Sequence, residues 1–238
     1  DVVVASIFVN PLQFGPNEDY DKYPRALETD AQVAADAGVD IIFAPSVDEM
    51  YPEGEPLIRI SSGELGNKFE GITRPGHFDG VLTVVNKLFN IVRPAAGSHE
   101  VNAYFGQKDA QQVLLVQRMI HDFNHDITLR PVAIVRDDDG LALSSRNEFL
   151  SEQEREAALV ISRTLALMRE NSLNRGFESI DLESARARIN STEGVRLDYL
   201  ELVDPSNFQP PTADSERVLA LVAAYVGSTR LIDNMDLL

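Results

Sequence analysis

Two apolar runs near the start of the chain, with an amphipathic stretch between them, constrain the fold more than any other feature. Residues 2–9 form a continuous, largely β-branched run that is typical of a buried parallel strand covered on both faces. Residues 25–37 have the periodicity of a helix, Gly38 ends it, and residues 40–45 form a second apolar run. This order predicts a βαβ unit, and therefore an α/β fold with a parallel sheet.

The middle of the chain predicts a long loop followed by further helices and strands. Residues 46–77 contain several prolines and glycines, as functional loops often do, and Ile58–Ile60 is expected to form a short edge strand there. An apolar helix is predicted over residues 79–92 and another strand over residues 127–135. Residues 95–101 are expected to form an exposed insertion.

The last hundred residues have a different pattern. Ser151 and Glu154 form a capping box that opens a helix reaching about residue 171. A second helix follows over residues 181–191, and three alternating runs predict antiparallel strands over residues 197–203, 218–226 and 230–237. We therefore predict a parallel α/β domain over residues 1–134 and a smaller α+β domain with antiparallel strands over residues 135–238.

Composition excludes several classes of function. The net charge is -17, from 21 Lys and Arg against 38 Asp and Glu, so partners such as nucleic acid or an anionic membrane are not expected. The absence of Cys excludes disulfides and thiol catalysis. No apolar run reaches the ~18 residues of a transmembrane helix. We expect a cytoplasmic protein.

Residues 104–112 form the most informative stretch, because a strand end and a glycine precede a helix whose first turn carries Lys108, Asp109 and two amides. The N–H groups and the positive dipole end of such a helix can hold phosphate. Gly106 would let the backbone approach a ligand closely. An ordinary helix start with an acidic residue near its N-terminus is the alternative interpretation.

Two further loops carry candidate polar groups. Asn10 and Gln13 follow the first predicted strand, at the sheet edge where ligands of open α/β folds bind. Residues 144–147 place two hydroxyls and a guanidinium in one loop, a combination that suits phosphate oxygens. A self-bonded turn at Asn10 and a plain polar loop at residues 144–147 are the alternatives. Arg74 and His77 also lie in a loop, where such a histidine is more often structural than catalytic.

These motifs together resemble the pantoate–β-alanine ligase family, a member of the nucleotidyltransferase-like α/β group. The resemblance rests on Phe8–Phe14, Phe105–Gln112 and Leu143–Asn147, taken in this order. Residues 90–94 and 229–234 extend it along nearly the whole chain. It implies a Rossmann-like first domain, a lid-like second domain and a homodimer.

The resemblance also implies a two-step ligation that forms a C–N bond. ATP and pantoate would give pantoyl adenylate and pyrophosphate, with Mg²⁺ present. The amine of β-alanine would then attack the adenylate, giving pantothenate and AMP. A carboxylate that attacks phosphorus is already ionised at neutral pH, so the first step needs charge stabilisation rather than a general base.

Residue roles carried over from the family fall into three groups. Lys108 and Arg146 would be catalytic, and Lys108 would neutralise the charge that builds on the α-phosphate. The residues that would bind ATP are Gly106, Gln107, Lys108, Asp109, Val135, Leu143, Ser144, Ser145 and Arg146. Gln13 and Gln112 would hold pantoate, with Gln13 also near β-alanine. Asn10 would support the site, and Asp30 is a weaker candidate for the Mg²⁺ environment.

The chain departs from the family pattern in two places. A Met-Gly-Ala-Leu-His-x-Gly-His type of segment, whose histidines contact ATP in the family, has no counterpart, and neither does the strand before it. We expect the biological protein to carry this segment. If it does not, a catalytically impaired ATP-binding remnant is an alternative, and a related nucleotidyltransferase is another. Residues 95–102, which include His99, are longer than the usual link.

Overall fold

A computed structural model describes residues 1–16, 18, 20–23, 25–94 and 100–238. The helices are α1 (Leu27–Asp36), α2 (Val47–Met50), α3 (Glu70–Thr73), α4 (His77–Val92), α5 (Ala110–Asp122), α6 (Glu152–Arg175) and α7 (Leu182–Asn190). The strands are β1 (Val4–Ser6), β2 (Ile41–Phe43), β3 (Asn102–Gly106), β4 (Thr128–Val132), β5 (Val195–Val203), β6 (Leu219–Val226) and β7 (Thr229–Asp236). Most of the predicted insertion, including His99, lies outside the described residues.

Two compact units make up the chain. The first comprises Asp1–Asn102 and Leu115–Thr128, and the second comprises Ala103–Leu114 and Leu129–Leu238. These units are defined by proximity in space, and the functional boundary that we predict at residues 134/135 stays a prediction.

Parallel pairing in the first unit confirms the predicted βαβ order. β1 pairs with β2 in parallel, with Val4 opposite Ile41 and Ser6 opposite Phe43, and α1 connects the two strands. This strand–helix–strand segment therefore confirms the α/β fold class that the sequence predicts.

The expected burial of these strands is wrong. The side chains of Val2 and Val3 are 70% and 48% exposed, and that of Ile41 is 52% exposed. Among the described residues, β1 and β2 form a two-stranded sheet, and these exposed side chains show that its faces are not fully covered there. An apolar run in the sequence shows that a strand can be buried. Whether its side chains are buried depends on which helices and strands pack against it.

The core of the first unit is built on α4, whose apolar residues Phe78, Val81 and Phe89 are buried. A 3-10 turn over Pro11–Gln13 lies directly against this helix. A Cβ atom placed on Gly80 would lie 2.2 Å from the carbonyl oxygen of Leu12, so only glycine permits this close approach.

The second unit contains an antiparallel three-stranded sheet in the order β5-β6-β7, which confirms the strands predicted for the end of the chain. α6 and α7 pack against it, and Leu165, Ile189 and Val222 belong to one buried cluster. The predicted capping box is also confirmed, because the Ser151 side chain accepts from the Glu154 backbone N–H and the Glu154 side chain accepts from the Ser151 N–H.

The edge strand predicted at Ile58–Ile60 is wrong. The segment has no strand structure, and its backbone is held by a side chain, since the Ile60 N–H donates to Oγ1 of Thr83 at 3.3 Å. Among the described residues, no helix is both long enough and apolar enough to cross a membrane.

Replacing Gly80 with alanine tests the close approach of the turn to α4. Because the added methyl group would overlap the Leu12 backbone, we expect Gly80→Ala to lower the free energy of unfolding by about 1–3 kcal/mol. Urea denaturation followed by circular dichroism measures this loss. Gly106→Ala is the matched control, because a Cβ there meets no atom within 4 Å and φ is −68°. Equal unfolding midpoints for the two variants would contradict the packing described here.

Candidate functional site

Asn10 is the buried centre of the candidate residues in the first unit. Its side chain is 2% exposed and its amide nitrogen donates to the Gly80 carbonyl at 3.1 Å and to Oε1 of Gln13 at 3.2 Å. Its oxygen accepts from the Tyr51 hydroxyl at 2.7 Å and from the Leu12 N–H at 3.3 Å. Burial raises the pKa of Tyr51 to about 12, so this hydroxyl stays a donor. Asn10 is therefore fully engaged, which suits support of the site rather than direct contact with a ligand.

A buried histidine and an arginine hold the backbone of Gln13. Nδ1 of His77 lies 2.8 Å from the Gln13 carbonyl oxygen, and Nη1 of Arg74 lies 3.0 Å from Nε2 of His77. Arg74 also pairs with Glu18, with Nε 3.0 Å from the carboxylate. Burial, together with the Arg74 charge, lowers the pKa of His77 to about 4, so the ring is neutral at pH 7. The neutral ring donates from Nδ1 and accepts at Nε2.

The contacts of Gln13 and His77 match the structural role that the sequence favoured for the histidine. Gln13 is half-buried and its side-chain oxygen is held by Asn10. Both its backbone and its side chain are thus fixed before any ligand binds. No local pattern indicates a role for Tyr51 or Glu18, because their contacts with this cluster connect distant segments of chain.

The second unit contains the Lys108 stretch. β3 ends at Gly106, Gln107–Asp109 form a 3-10 turn, and α5 begins at Ala110. The predicted strand–glycine–helix order is therefore confirmed. The Lys108 side chain is half-buried and has no hydrogen-bond or ion-pair partner among the described residues, whereas Asp109 is exposed. A cationic residue thus precedes the N-terminus of a helix, and no anion among the described residues pairs with it.

The Ser144–Arg146 loop forms the start of another short turn. Oγ of Ser144 accepts from the Arg146 N–H at 3.3 Å and caps a 3-10 helix over Ser145–Phe149. The Leu143 N–H donates to the Val135 carbonyl at 2.9 Å, and both side chains are exposed. The Ser145 side chain is exposed, so the loop is bonded to itself at Ser144 and still presents a hydroxyl to solvent, and the proposed phosphate contact stays a prediction.

A small hollow in the second unit brings two of the predicted motifs together. Its lining includes Lys108, Leu141, Ser144, Asn147 and Asp233. The side-chain oxygen of Asn147 is buried and has no hydrogen-bond partner among the described residues. A buried acceptor without a donor is uncommon in proteins and suits a site that receives a ligand.

Sequence reasoning missed the contacts of three residues at or near this hollow: Asp233 and Asn234 were named only within the 229–234 motif, and Arg136 was not singled out. Arg136 donates to both carboxylate oxygens of Asp233, at 2.7 and 2.9 Å. Asn234 donates from its side chain to the carbonyl oxygens of Gln107 and Lys108. The partners are 97 to 127 positions apart in the chain, so no local pattern could have identified them.

The structure does not build a metal site around Asp30. This residue is exposed on α1, and the described part of the chain contains no group of three or more His, Cys, Asp or Glu side chains that could hold a metal ion. The described side chains therefore do not fit a Mg²⁺ site made by protein ligands alone.

Comparison with known proteins identifies the family to which this chain is similar. Residues 1–236 match the family described as pantoate-beta-alanine ligase. A pantothenate synthetase of Paenarthrobacter aurescens is 52% identical over 248 residues, covering 100% of this chain and 83% of that protein. One of Corynebacterium glutamicum is 50% identical, covering 100% of this chain and 84% of that protein.

Solved structures of the same family are similar to this chain along nearly its whole length. A pantothenate synthetase from Thermus thermophilus superposes with a TM-score of 0.90 at 45% identity, covering 99% of this chain and 83% of that one. A pantoate-beta-alanine ligase from Francisella tularensis, solved in complex with beta-gamma ATP and beta-alanine, gives a TM-score of 0.77 at 39% identity, covering 99% of this chain and 79% of that one.

The lowered pKa of His77 predicts a loss of stability in acid. Between pH 6.5 and 4, His77 is protonated in the unfolded chain but stays neutral in the folded protein. The free energy of unfolding therefore falls as pH falls through this range. From pH 7 to pH 5 the His77 contribution to the free energy of unfolding should drop by about 2 kcal/mol.

Urea denaturation of the wild type and His77→Gln at both pH values measures this contribution, because glutamine does not titrate. The stability difference between the two proteins should shrink by that amount at pH 5. A difference that is the same at both pH values would contradict a neutral, buried His77.

Proposed function

Because the chain belongs to the pantoate-beta-alanine ligase family, we propose that the groups described above carry out the two chemical steps of that reaction. The protein is a pantothenate synthetase in activity, an enzyme that binds ATP and joins pantoate to β-alanine. What remains to be assigned is which side chains perform each step.

The first step brings two anions together. An oxygen of the pantoate carboxylate attacks the α-phosphorus of ATP, the bond from that phosphorus to the bridging oxygen breaks, and pyrophosphate leaves with the bond electrons. The chain carries a net charge of -17, which repels both reactants. The site must therefore provide positive charge close to the reacting phosphate, held in position before the reaction begins.

Lys108 is proposed to supply that charge, and its lack of a partner among the described residues is the observation that carries the proposal. A lysine already paired with a carboxylate would have to break that pair to reach phosphate. The ammonium of Lys108 has no such partner in the described chain, and the residue belongs to the short turn that immediately precedes α5. Helix N–H groups and a cation at one place suit an anion that gains charge during the reaction.

The remaining ATP contacts are proposed for the second unit. Ser144, Ser145 and Arg146 would bind phosphate oxygens, and Gly106 leaves its side-chain volume empty for the nucleotide. The Leu143 N–H is already used by Val135, so adenine would meet the Val135 N–H and the Leu143 carbonyl.

Four residues complete the ligand assignments. Asp109 is proposed for the ribose, and Gln107 lines the nucleotide through the turn that it begins. Gln13 and Gln112 are proposed to hold pantoate, because neutral amides orient hydroxyls without adding charge.

In the second step the neutral amine of β-alanine attacks the acyl carbon of the adenylate, AMP leaves, and the amine loses a proton. His77 is not offered as the base, because both of its ring nitrogens are engaged. The expectations of Mg²⁺, a homodimer and a cytoplasmic location stay proposals that rest on the family resemblance.

The reaction is tested by its products. We expect AMP and pyrophosphate to form from ATP only when pantoate is present, and continuous AMP release to require β-alanine as well. Chromatography of the nucleotides measures both. ADP as the product would reject the adenylate route, and a dinucleotide-like product that accumulates without any amine would favour a nucleotidyltransferase.

Replacing Lys108 tests its role directly. Lys108→Ala should lower the rate of adenylate formation by about 10²–10³-fold, as the loss of one pre-organised charge-stabilising group does. The fold should remain, since the contacts of this turn with Asn234 are made by backbone carbonyls. Pyrophosphate release in a single turnover measures the rate.

Arg118→Ala is the matched control for Lys108→Ala. It removes a cation from the exposed side of the same helix, where Arg118 only pairs with Asp122 one turn away. Near-normal turnover of Lys108→Ala, or an equal loss in Arg118→Ala, would refute the role of Lys108.

A further inference from the structure

We infer that Asn234 is a positioning residue for Lys108: its amide fixes the turn from which the lysine reaches the α-phosphate. This inference rests on the proposed role of Lys108 in adenylate formation. It assigns to a residue near the end of the chain a part in the first chemical step, without contact with ATP.

The side chain of Asn234 makes two hydrogen bonds to consecutive carbonyl groups. Nδ2 lies 2.8 Å from the carbonyl oxygen of Gln107 and 2.9 Å from that of Lys108. Asn234 belongs to β7 and is 4% exposed, so these bonds are made away from water. Both N–H bonds of one amide are thus used on the two residues that open the Lys108 turn.

A backbone anchor matters here because the lysine cannot position itself. Its side chain has four rotatable torsions, and the described residues give its ammonium no partner that would fix them. A 3-10 turn of three residues has poorer hydrogen-bond geometry than an α-helix and holds its shape less firmly. Fixing the two carbonyl groups fixes the Cα position and direction of Lys108, which sets where the ammonium can reach.

Asn234 is itself held on both sides. Its backbone N–H donates to Oδ1 of Asp233 at 2.8 Å, and its carbonyl oxygen lies 3.4 Å from Nη2 of Arg136. Arg136 in turn forms a bidentate ion pair with Asp233, whose side chain is buried. Such a planar pair defines direction as well as distance. The chain of contacts therefore runs from Arg136 through Asp233 and Asn234 to the turn.

The chemistry of this contact requires a donor. Two carbonyl oxygens face the amide nitrogen, so a group without N–H bonds loses both contacts. Aspartate has nearly the same shape as asparagine, but it would direct a negatively charged acceptor at two acceptors. Asn234→Asp therefore changes the contact without changing the volume, whereas Asn234→Ala removes it without adding charge.

A double-mutant cycle separates positioning from a merely structural role. In the otherwise unchanged enzyme, Asn234→Asp should lower kcat for pantoate-dependent pyrophosphate release by about 10–100-fold, with KM for β-alanine unchanged. In the Lys108→Ala background the same substitution should change kcat by less than about threefold, because the positioned group is gone. Asn234→Ala should behave likewise with a smaller loss. Asn190→Asp, an exposed asparagine that accepts from the Leu197 N–H, is the control and should leave kcat unchanged in both backgrounds.

Three outcomes would overturn the inference. If Asn234→Asp retains full kcat, the contact does not position Lys108. If its effect is the same with and without Lys108, Asn234 acts through something else. If Lys108→Ala itself has no effect, the proposed role of Lys108 fails and the inference fails with it. If Lys108→Ala is slow but the Asn234 result contradicts the expectation, only the inference about Asn234 fails. Thermal melting accompanies each assay, and if Asn234→Asp does not fold, the cycle is decided on Asn234→Ala.

Discussion

Buried asparagine side chains fix two of the short turns that carry candidate ligand-binding groups. In the first unit Asn10 joins the Pro11–Gln13 turn to the backbone of α4, and in the second unit Asn234 joins the Lys108 turn to β7. A turn of three residues makes too few bonds of its own to define a direction. An amide can donate twice and accept twice, so one buried side chain can hold a turn against a regular element.

Two arginines of the described chain form structural ion pairs, whereas Lys108 has no carboxylate partner there. Arg74 is paired with Glu18, and Arg136 is paired with Asp233 in the same way. Arginine suits these roles because its planar group meets a carboxylate with two parallel bonds. Lys108, by contrast, has no carboxylate partner in the described chain. In a protein of net charge -17, a half-buried cation without a partner offers anionic substrates a local attraction that the protein as a whole opposes.

Local signals predicted the elements, and contacts between distant segments decided the rest. The capping box at Ser151, the strand–helix–strand order at the start and the antiparallel strands at the end follow from spacing of a few residues, and all three are confirmed. The exposure of Val2 could not be predicted, because it depends on which elements cover β1. Asn234 was visible only as part of a motif, since its partner Lys108 lies 126 positions away.

The placement of Lys108 also determines how the ATP-directed motifs relate to each other. Residues 103–114 belong to the same compact unit as residues 129–238, so Lys108 and Ser144 lie in one unit and line one hollow. Within that unit, hydrogen bonds hold the Lys108 turn to Asn234 on β7, and the backbone of Asn234 is held by Asp233. Pre-organised charge is worth more than charge that must be assembled during the reaction. The sheet that ends the chain therefore bears on the first chemical step, because one of its strands holds the turn that carries Lys108.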